Sequence, residues 1–251
     1  MEKITSTSNN KIKYIVRLRE EKKFQAEEQL FFIEGLHMVK EAIKRNIIIT
    51  IFLEERMLNK VENIAKFECI LISDNVSNKI SSTKTSQGIF ATCKLEEQEI
   101  NCDKNILLLD QIQDPGNMGT LIRSAASFDF QTVIASNNSV SFYNPKVLRS
   151  TQGNLFSISL VNNDLLKVIS ELKEKGYLII GTVLNEESKS LKQVKFIEKQ
   201  KYGIIIGNEA KGISLELHDL IDINLNIEMS NEVESLNAAI AGSIIMYNIK
   251  K

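Results

Sequence analysis

Three loops in the second half of the chain combine glycine with polar side chains, as ligand sites at the edge of a sheet often do. The first, DQIQDPGNMGTLIRSAASF at 110–128, follows the apolar run NILLL and brings Asn117, Gly119 and Arg123 to the start of a helix. Asn117 can cap that helix, and Gly119 keeps its first turn open. Arg123 carries a permanent positive charge toward the carboxyl edge of the sheet, where a phosphate can bind. A helix cap followed by a surface arginine explains this motif equally well when it stands alone.

The second loop, IIIGNEAKGIS at 204–214, ends an apolar strand at Gly207 and continues through Glu209 to Gly212. Glycine at both ends lets backbone N–H and C=O groups approach a ligand closely. A strand-to-helix turn with a surface acid is the plainer interpretation of this segment.

The third loop, IEMSNEVESLN at 227–237, follows a strand and leads into a helix of small residues. Ser235, Leu236 and Asn237 open that helix, with Ser235 or Glu234 as its expected cap. The small residues allow close packing against another element.

Several familiar motifs are missing from the sequence, which argues against other chemistries. No GxGxxG or GxSxG segment occurs, and GNEAKG at 207–212 is followed by Ile213 and Ser214 where a Walker loop has Lys and then Ser or Thr. His37 and His218 have no metal-ligand partners at helical spacing, and the 3 cysteines form no CxxC pair. We therefore predict reduced thiols and no metal site.

The elements that must position the loops form two α/β regions. In residues 105–251, apolar runs alternate with amphipathic helices, which predicts a mostly parallel sheet covered on both faces. Residues 1–95 show a separate α/β pattern that begins with a helix at 11–30, and the polar segment 96–104 is the expected linker. The strands predicted in the larger region are 105–109, 132–135, 156–160, 177–183, 202–206 and 221–227, and its helices are 117–128, 144–150, 163–175, 213–220 and 235–249.

Positive charge is concentrated near the amino terminus, although the whole sequence has a formal net charge of −1. Residues 1–24 carry 7 lysines and arginines against 3 glutamates. This segment can contact nucleic-acid phosphates, and a solvated helix face is the other interpretation. Neither a signal-peptide core nor a run approaching the ~20 apolar residues of a membrane span occurs, so we expect a soluble, cytoplasmic protein.

Taken together and in this order, the three loops resemble the SpoU branch of the SPOUT methyltransferases. That family shows Asn-x-Gly-x(3)-Arg-x-Ala, then Gly-x-Glu-x-x-Gly, then Ile-Pro-Met followed by Ser-Leu-Asn. The residues that match here are Asn117, Gly119, Arg123 and Ala125, then Gly207, Glu209 and Gly212, then Ile227, Met229, Glu234, Ser235, Leu236 and Asn237. The stretch YNPKVLRSTQGNLFSI at 143–158 also looks like the family's, and SNNKIKYIVRL, FFIEGLHMVKEAI and TSQGIFA resemble an L30e-like substrate-binding domain. The likeness covers nearly the whole chain.

The resemblance implies a small L30e-like α/β domain followed by a SPOUT catalytic domain with a C-terminal trefoil knot. It implies S-adenosylmethionine as the cofactor, bound in the knotted loops, and no metal. It also implies a homodimer, because members of the family complete their active site with a second subunit. The residues it assigns to the cofactor are Gly207, Ile227 and Leu236, with Thr182 as a further candidate.

The reaction implied by the resemblance is methyl transfer to a ribose 2′-hydroxyl of structured RNA, with Arg123 as the main catalytic residue. Arginine is a costly base because its guanidinium keeps its proton far above neutral pH, so we expect Arg123 to bind a phosphate and stabilise charge developing on the 2′-oxygen. Asn117, Asn237 and Ser235 would orient Arg123 or the ribose. Glu209 would orient the first loop or Arg123.

The expected substrate is a guanosine of 23S ribosomal RNA, since the front domain resembles those of ribosomal-RNA members. Transfer RNA is the second candidate, and an RNA-binding homologue without activity is the third. The third rests on two departures, because the family has Pro where Glu228 stands and Gly where Asn231 stands. Glu228 brings flexibility and a negative charge beside a cationic sulfonium, whereas Asn231 tolerates a left-handed backbone.

Overall fold

The chain folds into two compact units in a computed structural model that describes residues 1–183, 188–230 and 235–250. The first unit combines Met1–Glu97 with Tyr143–Phe156, and the second combines Gln98–Phe142 with the residues from Ser157 onward. The segment 143–156 therefore interrupts the second unit in sequence while it packs within the first. The sequence-based boundaries at residues 95 and 105 stay a prediction.

The helices and strands alternate along most of the chain. The α-helices are, in chain order, α1 (Asn10–Glu20), α2 (Lys22–Glu28), α3 (Leu36–Arg45), α4 (Asp74–Ile80), α5 (Pro115–Ser127), α6 (Pro145–Thr151), α7 (Leu165–Glu174), α8 (Leu215–His218) and α9 (Ala238–Lys250). The strands are β1 (Glu2–Ile4), β2 (Leu30–Glu34), β3 (Ile48–Leu53), β4 (Glu68–Ile72), β5 (Ile89–Lys94), β6 (Ile106–Leu109), β7 (Thr132–Ala135), β8 (Ser159–Asn162), β9 (Leu178–Gly181), β10 (Lys189–Ser190), β11 (Tyr202–Ile206) and β12 (Ile223–Asn226). Short 3-10 helices cover Glu55–Lys60, Ile64–Lys66 and Asn154–Ser157.

The first unit is built on a mixed sheet with the order β1-β4-β3-β5-β2. β5 runs antiparallel to both β2 and β3, whereas β4 is parallel to β1 and β3. Helix α6 belongs to this unit, where the Tyr143 ring before it lies 4.5 Å from that of Phe31 on β2. This ring contact gives the inserted segment an apolar anchor.

The helix predicted at 11–30 is interrupted, so that α1 and α2 are separate helices on either side of Glu21. Glu21 has an extended backbone, with φ −106° and ψ 106°. The buried amide of Gln25 donates to the carbonyl of Leu18 at 2.8 Å and satisfies a group that the break would leave unpaired. The break also lets Phe24 turn into the core, where it is 7% exposed.

The cations of α1 are largely engaged by neighbouring groups. Lys11 Nζ lies 2.7 Å from a Glu2 carboxylate oxygen, and Arg17 Nε lies 2.9 Å from Glu21. Arg19 donates to backbone carbonyls at the end of α4. These contacts are those of a solvated helix face on which the cations have neighbouring acceptors.

The second unit is built on a parallel sheet with the order β10-β12-β9-β11-β6-β7-β8. This sheet confirms the predicted mostly parallel α/β fold. β6 and β11 lie at its centre and are buried along their length, as their continuous apolar sequences require. Because all strands point the same way, the loops after β6, β9, β11 and β12 emerge at one edge.

Several predicted elements differ from those observed. A 3-10 turn occupies 154–157, and the strand predicted at 156–160 begins only at Ser159. The 3-10 helices at Glu55–Lys60 and Ile64–Lys66 are separated by Val61, which is extended, and by Asn63, which has a left-handed φ of 61°. Within the part of the chain that the structure describes, no helix has the length and apolar character needed to cross a bilayer.

Candidate active site

Helix α5 begins two residues earlier than its predicted start, and this shift changes the role of Asn117. Pro115 occupies the first turn, and the carboxylate of Asp114 accepts from the Asn117 backbone N–H at 2.9 Å. Asp114 is therefore the helix cap, and the prediction that Asn117 caps α5 is wrong. An aspartate directly before a proline is a readable sign of a helix start. With the cap supplied by Asp114, the side chain of Asn117 can bind elsewhere.

The buried side-chain amide of Asn117 links the three loops. Its Nδ2 donates to Glu209 Oε1 of the second loop at 3.0 Å. Its Oδ1 accepts from Asn237 Nδ2 of the third loop at 2.8 Å. Asn117, Glu209 and Asn237, which we call the amide–carboxylate network, therefore meet in the structure.

Glu209 is bound by more groups than Asn117 alone. Its two carboxylate oxygens also accept from the backbone N–H groups of Gln113 and Asp114, at 3.2 and 3.1 Å. Partial burial raises the pKa of this carboxyl, but the hydrogen bonds from Asn117 and from backbone N–H groups outweigh it and lower the pKa overall. Glu209 is thus a charged anchor for the first loop at neutral pH.

Asn237 also fixes the start of the last helix. Its Oδ1 accepts from the backbone N–H groups of Ala239 and Ile240, at 2.9 and 3.2 Å. Asn237 is therefore the cap of α9, and the prediction that Ser235 plays this part is wrong. Glu234, the other predicted cap, and Asn231 lie outside the described residues.

The second loop folds into a tight turn that only glycine permits at its first position. A Cβ on Gly207 would lie 2.3 Å from the backbone of Gly212 and of Ile213. Asn208 pairs with Gly212 through two 2.9 Å backbone bonds, and its side chain accepts from two further backbone N–H groups in the loop. Gly212 itself has φ +73°, which favours glycine.

A cavity of about 660 Å³ opens where the second and third loops meet. Its lining includes the predicted cofactor residues together with Ser235 and Glu209, namely Thr182, Gly207, Glu209, Ile227, Ser235 and Leu236. Thr182 uses its hydroxyl internally, since Oγ1 donates to the Ile205 carbonyl at 3.4 Å.

Arg123 stands apart from the amide–carboxylate network. Its side chain is exposed on α5, and within residues 1–183, 188–230 and 235–250 no group accepts a hydrogen bond from its guanidinium. The structure therefore brings Asn117, Glu209 and Asn237 together and leaves Arg123 without a partner among the described residues. An unengaged guanidinium on the surface is available to a phosphate.

Helices α5 and α9 pack closely behind the network. A Cβ on Gly242 would lie 2.6 Å from Leu121 Cδ2, so the small residue lets the two helices approach. Ser124 and Ser243 also share a 2.7 Å hydrogen bond between their hydroxyls. This contact positions the start of α9, and with it Asn237, relative to Asn117.

The histidines and cysteines show no arrangement for metal chemistry. His218 Nε2 lies 3.1 Å from the backbone carbonyl oxygen of Ile213, and the 3 cysteines are free thiols. In the described ranges, no group of three or more His, Cys, Asp or Glu side chains is placed to hold a metal ion.

Comparison with known proteins gives matches to both parts of the chain. Residues 104–247 match the SpoU rRNA Methylase family, and residues 9–91 match the MRM3-like substrate binding domain. The chain is 32% identical over 253 positions to the 23S rRNA (guanosine(2553)-2′-O)-methyltransferase RlmP of Bacillus subtilis (strain 168), covering 100% of both proteins.

Solved structures share the fold over nearly the whole chain. A putative RNA methyltransferase of the TrmH family from Porphyromonas gingivalis has a TM-score of 0.86 and 28% identity, covering 96% of this chain and 97% of that one. An AdoMet-bound rRNA methyltransferase from Sinorhizobium meliloti has a TM-score of 0.90 and 23% identity, covering 99% and 97%.

Proposed function

Since the chain belongs to the SpoU rRNA methylase family, we propose that it transfers a methyl group from S-adenosylmethionine to a ribose 2′-hydroxyl of 23S ribosomal RNA, on a guanosine. The observation that carries this proposal is the position of Glu209. It lines the cavity and at the same time binds Asn117 through its carboxylate. One residue thus connects a ligand-sized space to the amide–carboxylate network.

The cavity suits S-adenosylmethionine in size and in lining. Its volume of about 660 Å³ lies within the ~300–1,000 Å³ of typical small-molecule sites. Ile227 and Leu236 offer apolar surface to an adenine, and Gly207 lets the backbone approach the ligand. We assign these three residues to the cofactor, with Thr182 contributing its backbone. The cofactor supplies a methyl carbon made electrophilic by its sulfonium.

The chain's own residues would bind and orient the ribose. Arg123 would hold the phosphate beside the target nucleotide and stabilise negative charge on the 2′-oxygen as its proton is lost. Asn117 and Asn237, held by Glu209, would keep the first and third loops in register for this contact. Ser235 would add a hydroxyl at the wall of the cavity.

The first unit favours ribosomal RNA over transfer RNA as the substrate. Residues 9–91 match a substrate-binding domain, and the likeness to the Bacillus subtilis enzyme includes them. Acting on ribosomal RNA, the protein would work in the cytoplasm. Transfer RNA stays the second candidate substrate.

We further propose a homodimer and a C-terminal trefoil knot, as the resemblance implies. Helix α9 exposes two large apolar side chains on the face opposite its packed side. Ile240 is 52% exposed and Tyr247 is 49% exposed. Such side chains on an otherwise well-packed helix suit burial against a second subunit.

The test is methyl transfer by the purified protein to ribosomal RNA and to transfer RNA, with the product nucleotide mapped. We expect a 2′-O-methylguanosine in 23S RNA. Modification of transfer RNA alone would show that transfer RNA, the second candidate, is the substrate. Cofactor titration separates the third candidate, since the absence of S-adenosylmethionine binding would favour an RNA-binding homologue without activity.

A further inference from the structure

The third loop is tied to the edge of the second unit's sheet through Glu228. Ile227 and Met229 on either side of it line the cavity. The Ser190 hydroxyl donates to Glu228 Oε1 at 2.6 Å, and Lys192 Nζ lies 2.5 Å from Oε2. Both carboxylate oxygens are therefore bound by residues in or just after the edge strand β10.

A backbone contact adds to this tie. β10 pairs in parallel with β12, with Ser190 opposite Asn226. The N–H of Leu191 then donates to the Asn226 carbonyl at 2.8 Å. Positions 226 and 228 are thus each attached to β10 and the residues that follow it, and Ile227 is held between two fixed points.

The two side-chain contacts differ in their surroundings. Ser190 is 8% exposed, so its hydrogen bond to the carboxylate is shielded from water. The Lys192 side chain is 79% exposed, and ion pairs of this kind contribute little. The contacts with Lys192 and Ser190 lower the pKa of Glu228, so its carboxylate is charged at neutral pH.

We propose that Glu228 is a positioning residue, which holds the cavity-lining backbone at Ile227 and Met229 against β10 and so sets the affinity for the cofactor. The affinity part of this inference rests on the proposed function. Glu228 acts here through geometry. Its charge is directed to Ser190 and Lys192 and not to the ligand.

A pair of ligands separates geometry from charge. S-adenosylmethionine carries a sulfonium, whereas S-adenosylhomocysteine lacks the methyl group and keeps the adenosine and amino-acid parts on a neutral sulfur. A residue that shapes the cavity affects both ligands alike, while a carboxylate that attracts the sulfonium affects only the first. The readouts are the Kd of each ligand, kcat at saturating cofactor, and amide hydrogen exchange of residues 225–230 without ligand.

The variants are Glu228→Ala and the milder Glu228→Gln, which keeps an oxygen for Ser190 and loses the charge. Asp129→Asn is the matched control, because it removes another exposed ion pair of the same unit, 2.6 Å from Lys104. We expect Glu228→Ala to speed exchange at 225–230 and to weaken both ligands by the same factor, about 5-fold. Glu228→Gln should lie between it and the wild type, kcat should change less than about 2-fold, and the control should change none of these.

Unchanged exchange in Glu228→Ala would overturn the tie to β10, whatever the protein binds. Weaker binding of S-adenosylmethionine alone would overturn the geometric account in favour of charge. If the wild type bound neither ligand, the proposed function would fail together with the affinity part, and the exchange measurement would still decide the tie.

Discussion

The side-chain amide of Asn117 donates a 3.0 Å hydrogen bond to the carboxylate of Glu209, 92 positions further along the chain. The same carboxylate accepts from the backbone of the loop that precedes α5. Glu209 therefore fixes both the side chain and the backbone of the first loop. Its removal should disturb the proposed site more than the loss of an exposed acid normally does.

Glu209→Gln should lower kcat by about 10- to 100-fold, because an amide has only one acceptor oxygen. Its NH2 group would face either the Gln113 N–H or the N–H groups of Asp114 and Asn117, which bind the other carboxylate oxygen. The measurement is single-turnover methyl transfer with saturating RNA and cofactor. Glu174→Gln, on the exposed end of α7, is the control and should transfer normally. Normal transfer in Glu209→Gln would show that the network is not needed.

Protonation of Glu209 should remove its contribution to the stability of the fold only at low pH. Its folded-state pKa is lowered, so the stabilisation is complete above the unfolded pKa and is lost as the pH falls through the folded pKa. Tm measured across the acid range should therefore fall less steeply in Glu209→Gln than in the wild type, because the variant has no carboxylate to protonate. Parallel curves would mean that this carboxylate does not contribute to acid unfolding.

Arg123→Ala should lower kcat by about 100-fold or more and leave the Kd of S-adenosylmethionine unchanged. The guanidinium has no partner in the described ranges, so its loss leaves no protein group unpaired. Arg123→Lys should rescue poorly, because an ammonium lacks the bidentate fork. Ser127→Ala, one turn further along α5, is the control. Near-normal turnover in Arg123→Ala would remove this residue from the mechanism.

Gly207→Ala should abolish cofactor binding, since the new Cβ would meet the backbone of the second loop at 2.3 Å. Calorimetric titration measures the effect. Gly176→Ala is the control, because it adds a Cβ in open space at φ +81° and strains the backbone far from the cavity. The control should lower Tm and keep cofactor affinity. Equal losses in both variants would indicate general destabilisation.

Ile240→Asp combined with Tyr247→Asp should weaken the proposed dimer, because charges would enter a buried apolar interface. Sedimentation velocity across a concentration series measures the change. Ile197→Asp is the control, since Ile197 is 66% exposed elsewhere in the same unit. A double variant that stays dimeric would place the interface on another surface.

Much of the fold could be predicted because its signals are local. Apolar runs such as NILLL at 105–109 and YGIII at 202–206 directly predict a buried parallel strand. The need for glycine at position 207 could be predicted for the same reason, since the atoms that a Cβ would meet belong to its own loop. Strand β10 was missed because two polar residues carry no strand pattern, and it forms only by pairing with β12.

The side-chain contacts of the candidate site depend on distant parts of the chain. The family motifs predict that Asn117, Glu209 and Asn237 belong to one site, whereas their mutual hydrogen bonds depend on sheet order and helix packing. The prediction for Asn117 was wrong because the sequence alone does not distinguish an asparagine that caps a helix from one that binds distant side chains. Only Asp114, one residue before proline, carried a signal that could have corrected it.

Because residues 143–156 belong to the first unit, no single cleavage of the chain separates the two units. The chain passes between them three times, near residues 97, 142 and 156. A fragment that starts at residue 98 would keep Tyr143, Val147 and Leu148 but lose the sheet against which they pack, and it would expose an apolar surface prone to aggregation. A chimaera that exchanges the front unit between relatives must therefore carry two pieces of sequence, 1–97 and 143–156, from the same donor.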